Sequence, residues 1–254
     1  MKILSTEKFN SYETPIILSK LGEVDEFIQY VPNDRTPLLT QVEKGNYAAL
    51  FVGFDHQIDA EMMSKCPNLK VVATRTTGLD HIDLDFCKEK GIDVLSLRGE
   101  DEFLKGIVAT AEYTFMNMMQ LLRKDGHELK GKTISIIGLG RIGKMMLVYC
   151  RAFGMEVISN NVQYADIVSL HITADEENRN FMNREKFEQM KDGSYFLNSA
   201  RPWLVDSDAL KWALESGKLA GVWSDFPEHQ AGKTKESLEK TEIFMAHKLC
   251  KHLS

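Results

Sequence analysis

Gly138, Gly140 and Gly143 stand at the spacing G-x-G-x-x-G, and the chemistry open to that spacing is the holding of a pyrophosphate. The first glycine permits a tight turn, the second lets main chain approach the phosphates, and the third lets a new helix pack closely on the preceding strand. Glycine-rich turns are common, so the flanks decide. Thr133 to Ile137 is a short, β-branched, almost wholly apolar run, the pattern of a strand covered on both faces. A helix is expected to follow, and its first turn directs unpaired N–H groups and a partial positive charge at an anion. The stretch Leu129 to Met146 is therefore expected to bind a dinucleotide rather than to form a purely structural turn.

Such a site needs a sheet to carry it, and the rest of the chain supplies the signals. Met1 to Leu4, Tyr47 to Phe54, Leu69 to Thr74 and Asp93 to Leu97 read as strands. Ile58 to Cys66 and Leu84 to Lys90 read as helices, with Gly91 placed to end the second. Ala109 to Arg123 is apolar nearly all round and is expected to be a buried helix, its methionines filling core. Beyond the glycines, Arg151 to Ser159 ends a helix and starts a strand. Asp166 to His171 and Tyr195 to Asn198 are further strands, Asp206 to Gly217 is a helix, and Leu219 to Ser224 leads into Asp225. This alternation predicts an α/β protein with parallel sheets.

Composition narrows the class. With 254 residues, 43% hydrophobic and 27% charged, the chain has room for two modest domains. No apolar run reaches membrane-spanning length and the start MKILSTEKFN lacks the order of a signal peptide, so a cytoplasmic location is expected and no membrane partner. A net charge of −6 argues against a broad nucleic-acid surface. Cys66, Cys87, Cys150 and Cys250 form no C-x-x-C pair, so reduced thiols are expected and no metal site.

Six segments then occur in a telling order: RTTGLDHIDL (75–84), LKGKTISIIGLGRIGK (129–144), ADIVSLH (165–171), LNSARPWLVD (197–206), ALESGKLAGV (213–222) and MAH (245–247). Together they resemble the D-2-hydroxyacid dehydrogenase family, from about Leu69 to His247. The resemblance implies two Rossmann-like domains with parallel sheets: a flavodoxin-like substrate domain at residues 1 to 105 and an NAD-binding Rossmann domain at 106 to 254. It implies an NAD-dependent oxidoreductase acting on a small 2-hydroxy or 2-oxo acid, and a homodimer. By the same resemblance, Arg201 would bind the substrate carboxylate, a task suited to a planar guanidinium fork that stays charged. His247 would be the general acid and base, since imidazole titrates near neutrality. Glu228 would tune it, although an ungapped count from Asp225 reaches Gln230, which could orient a histidine without lifting its pKa. On the cofactor side the resemblance selects Gly138, Gly140, Arg141, Ile142, Gly143, Asn161, Ser199, Ala200 and Asp225. On the substrate side it selects Arg75, Thr77, Gly78 and Leu79.

The departures from that pattern are as informative. Asn161 stands where family members carry an acid for the adenosine ribose, so discrimination against NADP should weaken. Only four residues separate Asn161 from Asp166, where the family has helix, strand and helix, so the adenine side of the cofactor sheet is expected to be shortened. The chain ends seven residues after His247, and the long C-terminal helix of relatives is expected to be missing. A dinucleotide-binding regulator or a non-catalytic remnant is the alternative to an enzyme.

Overall fold

The computed structural model describes residues 1–27, 34–227 and 229–254. It divides into two compact units: unit 1 holds Met1–Leu104 with Lys235–Ser254, and unit 2 holds Lys105–Thr234.

Unit 1 is built on β1 (Lys2–Ser5), β2 (Glu23–Glu26), β3 (Ala49–Val52), β4 (Val71–Thr74) and β5 (Asp93–Leu95). All pairings are parallel in the order β2-β1-β3-β4-β5, the flavodoxin-like order. Strands β3 and β4 are buried throughout, as expected of strands covered on both faces. The connecting helices are α1 (Glu13–Leu18), α2 (Thr36–Gly45), α3 (Ala60–Ser64), α4 (Leu84–Lys90) and α5 (Asp101–Leu104). Asp59 and Asp83 cap α3 and α4 by accepting main-chain N–H groups, and Gly91, at φ +67°, ends α4 in the left-handed conformation.

Unit 2 contains β6 (Thr133–Ile137), β7 (Glu156–Ser159), β8 (Ile167–Leu170), β9 (Ser194–Asn198) and β10 (Leu219–Ser224), with α6 (Ala109–Lys124), α7 (Arg141–Ala152), α8 (Arg184–Gln189) and α9 (Ser207–Glu215). Its parallel order is β10-β9-β8-β6-β7. Successive strand residues point to opposite faces. Ile134, Ile167 and Leu197 thus join a core with Met118 and Met146 of α6 and α7, whereas Val168, Phe196 and Ile137 join one with Phe187 and Ala213 of α8 and α9.

The sheet ends at β7, and the link from β7 to β8, residues 160–166, contains no helix or strand. The direct path is about 13 Å back along a strand and about 10 Å across two strand spacings. Eight extended Cα steps reach about 27 Å, so the short link suffices. Val162 and Ala165 fill the core face that it crosses.

The C-terminal end of the chain differs from expectation. Residues 235–253 form one helix, α10 (Lys235–Leu253), which packs against α1 in unit 1 rather than extending unit 2. Glu242 of α10 is 2% exposed, and its carboxylate accepts the N–H groups of Asn10 (2.8 Å) and Ser11 (3.1 Å), which lead into α1. A long helix returning to the first unit is therefore present, held by burial of Met245, Ala246 and Leu249 and by this carboxylate.

Candidate active site

The glycine turn lies between the C-terminal end of β6 and the start of α7, next to the point where the strand order reverses, which is where open α/β sheets take their ligands. Its three glycines stand in different surroundings. At Gly138, φ is +94° and an added Cβ would lie 2.7 Å from the His171 carbonyl oxygen; at Gly143 it would lie 2.0 Å from the Gly138 carbonyl oxygen. At Gly140, the residue preceding α7, a Cβ would meet nothing within 4 Å. Two glycines are thus needed for packing, and the third borders open space at a helix N-terminus.

The surrounding cofactor-side residues are tightly placed. Arg141 turns its guanidinium back to the Ile107 carbonyl at 2.5 Å, and burial holds its pKa below the ordinary value. Ile142 packs on the α6–α7 core. Asn160, at φ +54°, accepts the Gly138 N–H at 3.0 Å, whereas Asn161 is exposed and its side chain closes a local turn on the Gln163 N–H at 2.9 Å. At the end of β8, His171 links two hydroxyls: its Nε2 is 2.8 Å from Ser169 Oγ and its Nδ1 is 3.2 Å from Ser199 Oγ. Burial pushes His171 down to about 4, so this bridge is made by a neutral ring at physiological pH.

Arg201 follows β9 in a turn tied by one side chain. Asn198 Oδ1 accepts the Ala200 N–H at 3.0 Å, while its Nδ2 donates to the Arg201 carbonyl at 2.8 Å. The Arg201 Nη1 donates to the Ala200 carbonyl at 2.8 Å, and the guanidinium carbon is 6.0 Å from the centre of the Trp203 ring. The main-chain oxygen of the same Asn198 accepts the Asp225 N–H at 3.1 Å. Asn198 thereby joins the turn after β9 to the turn after β10.

That second turn brings together residues that sequence reasoning had left apart. Asp225 is 3% exposed; its Oδ1 accepts the N–H groups of Gln230 at 2.9 Å and Ala231 at 3.0 Å. Its Oδ2 lies 3.5 Å from His229 Nδ1. The chain reverses through His229, at φ +47°, whose N–H donates to the Asp225 carbonyl at 2.6 Å and whose ring lies 4.8 Å from the Phe226 ring. A buried carboxylate beside an imidazole is the arrangement that orients a histidine and favours its charged form. The available signal was the Asp-x-x-x-His spacing within SDFPEHQAG. Glu228 lies outside the described residues, and Gln230 meets Asp225 through its main chain.

The remaining selected residues are in unit 1. His247 is exposed in the middle of α10. Arg75, after β4, is ion-paired with Glu7 and lies 4.0 Å from Glu242, all three side chains being largely buried. Thr77 is exposed, the Gly78 carbonyl accepts the Thr76 hydroxyl at 2.7 Å, and Leu79 packs on the unit 1 core.

Comparison with known proteins places these features. Residues 107–164 and 159–248 match the model of the D-isomer specific 2-hydroxyacid dehydrogenase NAD binding domain. The chain is 31% identical over 238 residues to a glyoxylate reductase of Thermofilum pendens, covering 78% of this chain and 70% of that protein. It is 28% identical over 266 residues to a D-lactate dehydrogenase of Lactiplantibacillus plantarum, covering 86% and 79%. Among solved structures, the TT0316 protein of Thermus thermophilus superposes with a TM-score of 0.82 at 28% identity, covering 98% of this chain and 96% of that one.

Proposed function

The chain belongs to the D-isomer-specific 2-hydroxyacid dehydrogenase family, and from that premise we propose that it transfers hydride between NAD(H) and a small D-2-hydroxy acid or the matching 2-oxo acid. The glycine turn fits the cofactor: the open space at Gly140 and the N-terminus of α7 suit a pyrophosphate, while Gly138 and Gly143 make the close packing that creates it. Gly138, Gly140, Arg141, Ile142 and Gly143 would line the phosphates, and Ser199, Ala200 and Asp225 would flank the nicotinamide. A bound nicotinamide supplies the carbon that accepts or donates hydride.

The proton and the carboxylate fall to the chain's own side chains. Arg201 anchors the substrate carboxylate through its two-pronged guanidinium and polarises the neighbouring carbonyl. His229, rather than His247, moves the proton: its Nδ1 side faces Asp225, so Nε2 gives a proton to the carbonyl oxygen in reduction and takes the hydroxyl proton in oxidation. Asp225 holds the ring and stabilises the imidazolium. The observation that carries this reading is the Asp225–His229 pair, 3.5 Å apart, tied through Asn198 to the turn that presents Arg201. For the loop after β4, we assign Thr77, Gly78 and Leu79 a substrate role through their main chain and Arg75 a structural one, because Glu7 and Glu242 already neutralise its guanidinium.

The residues that follow β7 are Asn160 and Asn161, neither charged, so a 2′-phosphate meets no repulsion there and NADPH should be tolerated. We infer a homodimer formed through unit 2, where Val148 of α7 and the nearby Phe153 are 60% and 50% exposed. We also infer a cytoplasmic location. Cys66, Cys87 and Cys150 are buried thiols, burial pushing Cys87 up to about 11 and Cys150 up to about 12, and such unpaired thiols suit a reducing compartment. No helix among the described residues is long and apolar enough to cross a membrane. The deciding experiment is an NADH titration followed by turnover with a panel of 2-oxo acids. Binding with reduction of at least one acid is expected, and binding without any turnover would assign the fold to ligand sensing instead.

A further inference from the structure

One side of α10 carries Lys240, Phe244, His247 and Lys251. The spacing i, i+4, i+7, i+11 places all four on a single stripe. The stripe borders a groove of about 800 Å³ in unit 1, whose apolar wall includes Leu95 of β5, Phe103 of α5 and Ile243. Phe103 and Phe244 stack face to face with ring centres 4.0 Å apart and planes 19° from parallel, so the pair adds a rigid apolar block to the groove. The volume lies in the range that takes small organic ligands.

The charges around this groove are unequally balanced. Lys248 is spent on the fold: its Nζ donates to the Ser96 carbonyl at 2.8 Å and to Glu100 Oε1 at 2.5 Å. His252 is similarly held by Asp93 at 2.9 Å. Lys240 and Lys251 border the same groove and make no ion pair among the described residues. Glu100, the one carboxylate among the described residues lining the groove, is neutralised by Lys248, so two ammonium groups remain uncompensated on a chain whose net charge is −6. They stand about 16 Å apart along the helix axis, with Phe244 and its stacked partner between them. An apolar lining calls for a hydrocarbon body, and a cation at either end calls for an anionic head within contact range.

We propose that this groove binds an amphipathic organic anion, a medium-length hydrocarbon chain ending in a carboxylate, at a site separate from the Arg201–His229 turns and independent of the activity assigned to them. The chain packs against Leu95, Ile243 and the Phe103–Phe244 pair, and the carboxylate meets Lys240 or Lys251.

The test uses the full chain and three probes of equal chain length: decanoate, 1-decanol and decylammonium. Calorimetry should show one decanoate per chain. Binding should be about fivefold or more tighter than for decanol, weaker still for decylammonium, and should decline as salt is raised. In ¹H–¹⁵N spectra, decanoate should shift resonances of β5, α5 and α10. Lys240→Glu combined with Lys251→Glu should weaken decanoate about three- to tenfold while leaving melting temperature and NADH affinity unchanged, whereas Arg201→Lys should leave decanoate binding intact. Equal affinity for decanoate and decanol, no response to the double lysine variant, or shifts confined to unit 2 would each overturn the proposal.

Discussion

Each unit presents an arginine just beyond the C-terminal end of a sheet strand and a histidine from a later segment, yet the two pairs live in opposite surroundings. In unit 1, Arg75 is locked to Glu7 and faces Glu242, and His247 is exposed along a lysine-bearing helix. In unit 2, Arg201 sits in a turn fastened by Asn198, and His229 stands beside the buried Asp225. Residue type and nearness to a motif favour both pairs equally. Only the second combines a carboxylate next to imidazole with a guanidinium positioned by its own turn, which is what proton transfer to an anchored 2-oxo acid requires. The difference teaches that burial and partners, rather than order along the chain, set the surroundings in which each histidine must act.

The sharpest way to break this comparison is to exchange the roles experimentally. His229→Ala should slow 2-oxo acid reduction by about 10²–10⁴-fold, the usual worth of a positioned acid or base, and His247→Ala should leave kcat/KM nearly unchanged. Steady-state kinetics with NADH decide it, and the reverse pattern would return the proton to α10. Asp225→Asn sharpens the same point through pH. A neutral neighbour no longer favours the protonated ring, so reduction should fade at lower pH in the variant than in the parent.

The two arginines can be separated by what their loss damages. Arg201→Lys keeps the charge but not the two-pronged fork, so it should lower kcat/KM by about 10²-fold, roughly 3 kcal/mol of transition-state stabilisation, with little change in melting. Arg75→Met strips the partner from two largely buried carboxylates and should cost about 3 kcal/mol of stability or more, read by denaturant unfolding. A stable Arg75→Met protein with impaired turnover would mean that Arg75 serves the substrate after all.

The glycine turn offers a third contrast. Gly140→Val puts a side chain into open space, so the fold should be kept while NADH affinity falls by about tenfold or more. Unchanged affinity in the folded variant would make the turn structural only.

The smallest expected effect is at His171. Its folded pKa, about 4, lies below its ordinary value of 6.5, so between these limits the unfolded chain binds the proton first. The contribution of the neutral ring is complete above about pH 6.5 and is lost as pH falls through about 4. Because the residue is half-buried, about 1–2 kcal/mol is the expected size. Urea unfolding of the parent and His171→Gln at several pH values should show a gap that narrows in acid.

Much of this molecule was legible locally. The strand–glycine–helix unit at 133–152 depends on neighbours a few residues apart, and β8 and β9 were readable because strands covered on both faces are nearly continuously apolar, whereas β10, only partly covered, was not. That no strand lies beyond β7 among the described residues followed from counting residues. Other elements carried no such signal. The helix α1 spans six residues around Pro15, and the chain leading into it is held at Asn10 by the Glu242 carboxylate from 232 positions away. The helix α10 buries Ser237, Thr241 and Glu242 beside its apolar residues, which blurs the periodicity that would have revealed it.

What the sequence by itself determined is the class of chemistry: a dinucleotide turn, a guanidinium after a strand, and a parallel α/β scaffold, because each rests on short-range spacing. Only the tertiary structure decided which cations and imidazoles have work left to do. A long-range carboxylate consumes Arg75, and a left-handed turn at His229, stabilised by Asp225 bonds to the next two N–H groups, brings imidazole to a buried acid. Spacing along a chain cannot report such partners, since the free energy that selects them comes from desolvated contacts between segments that meet only on folding.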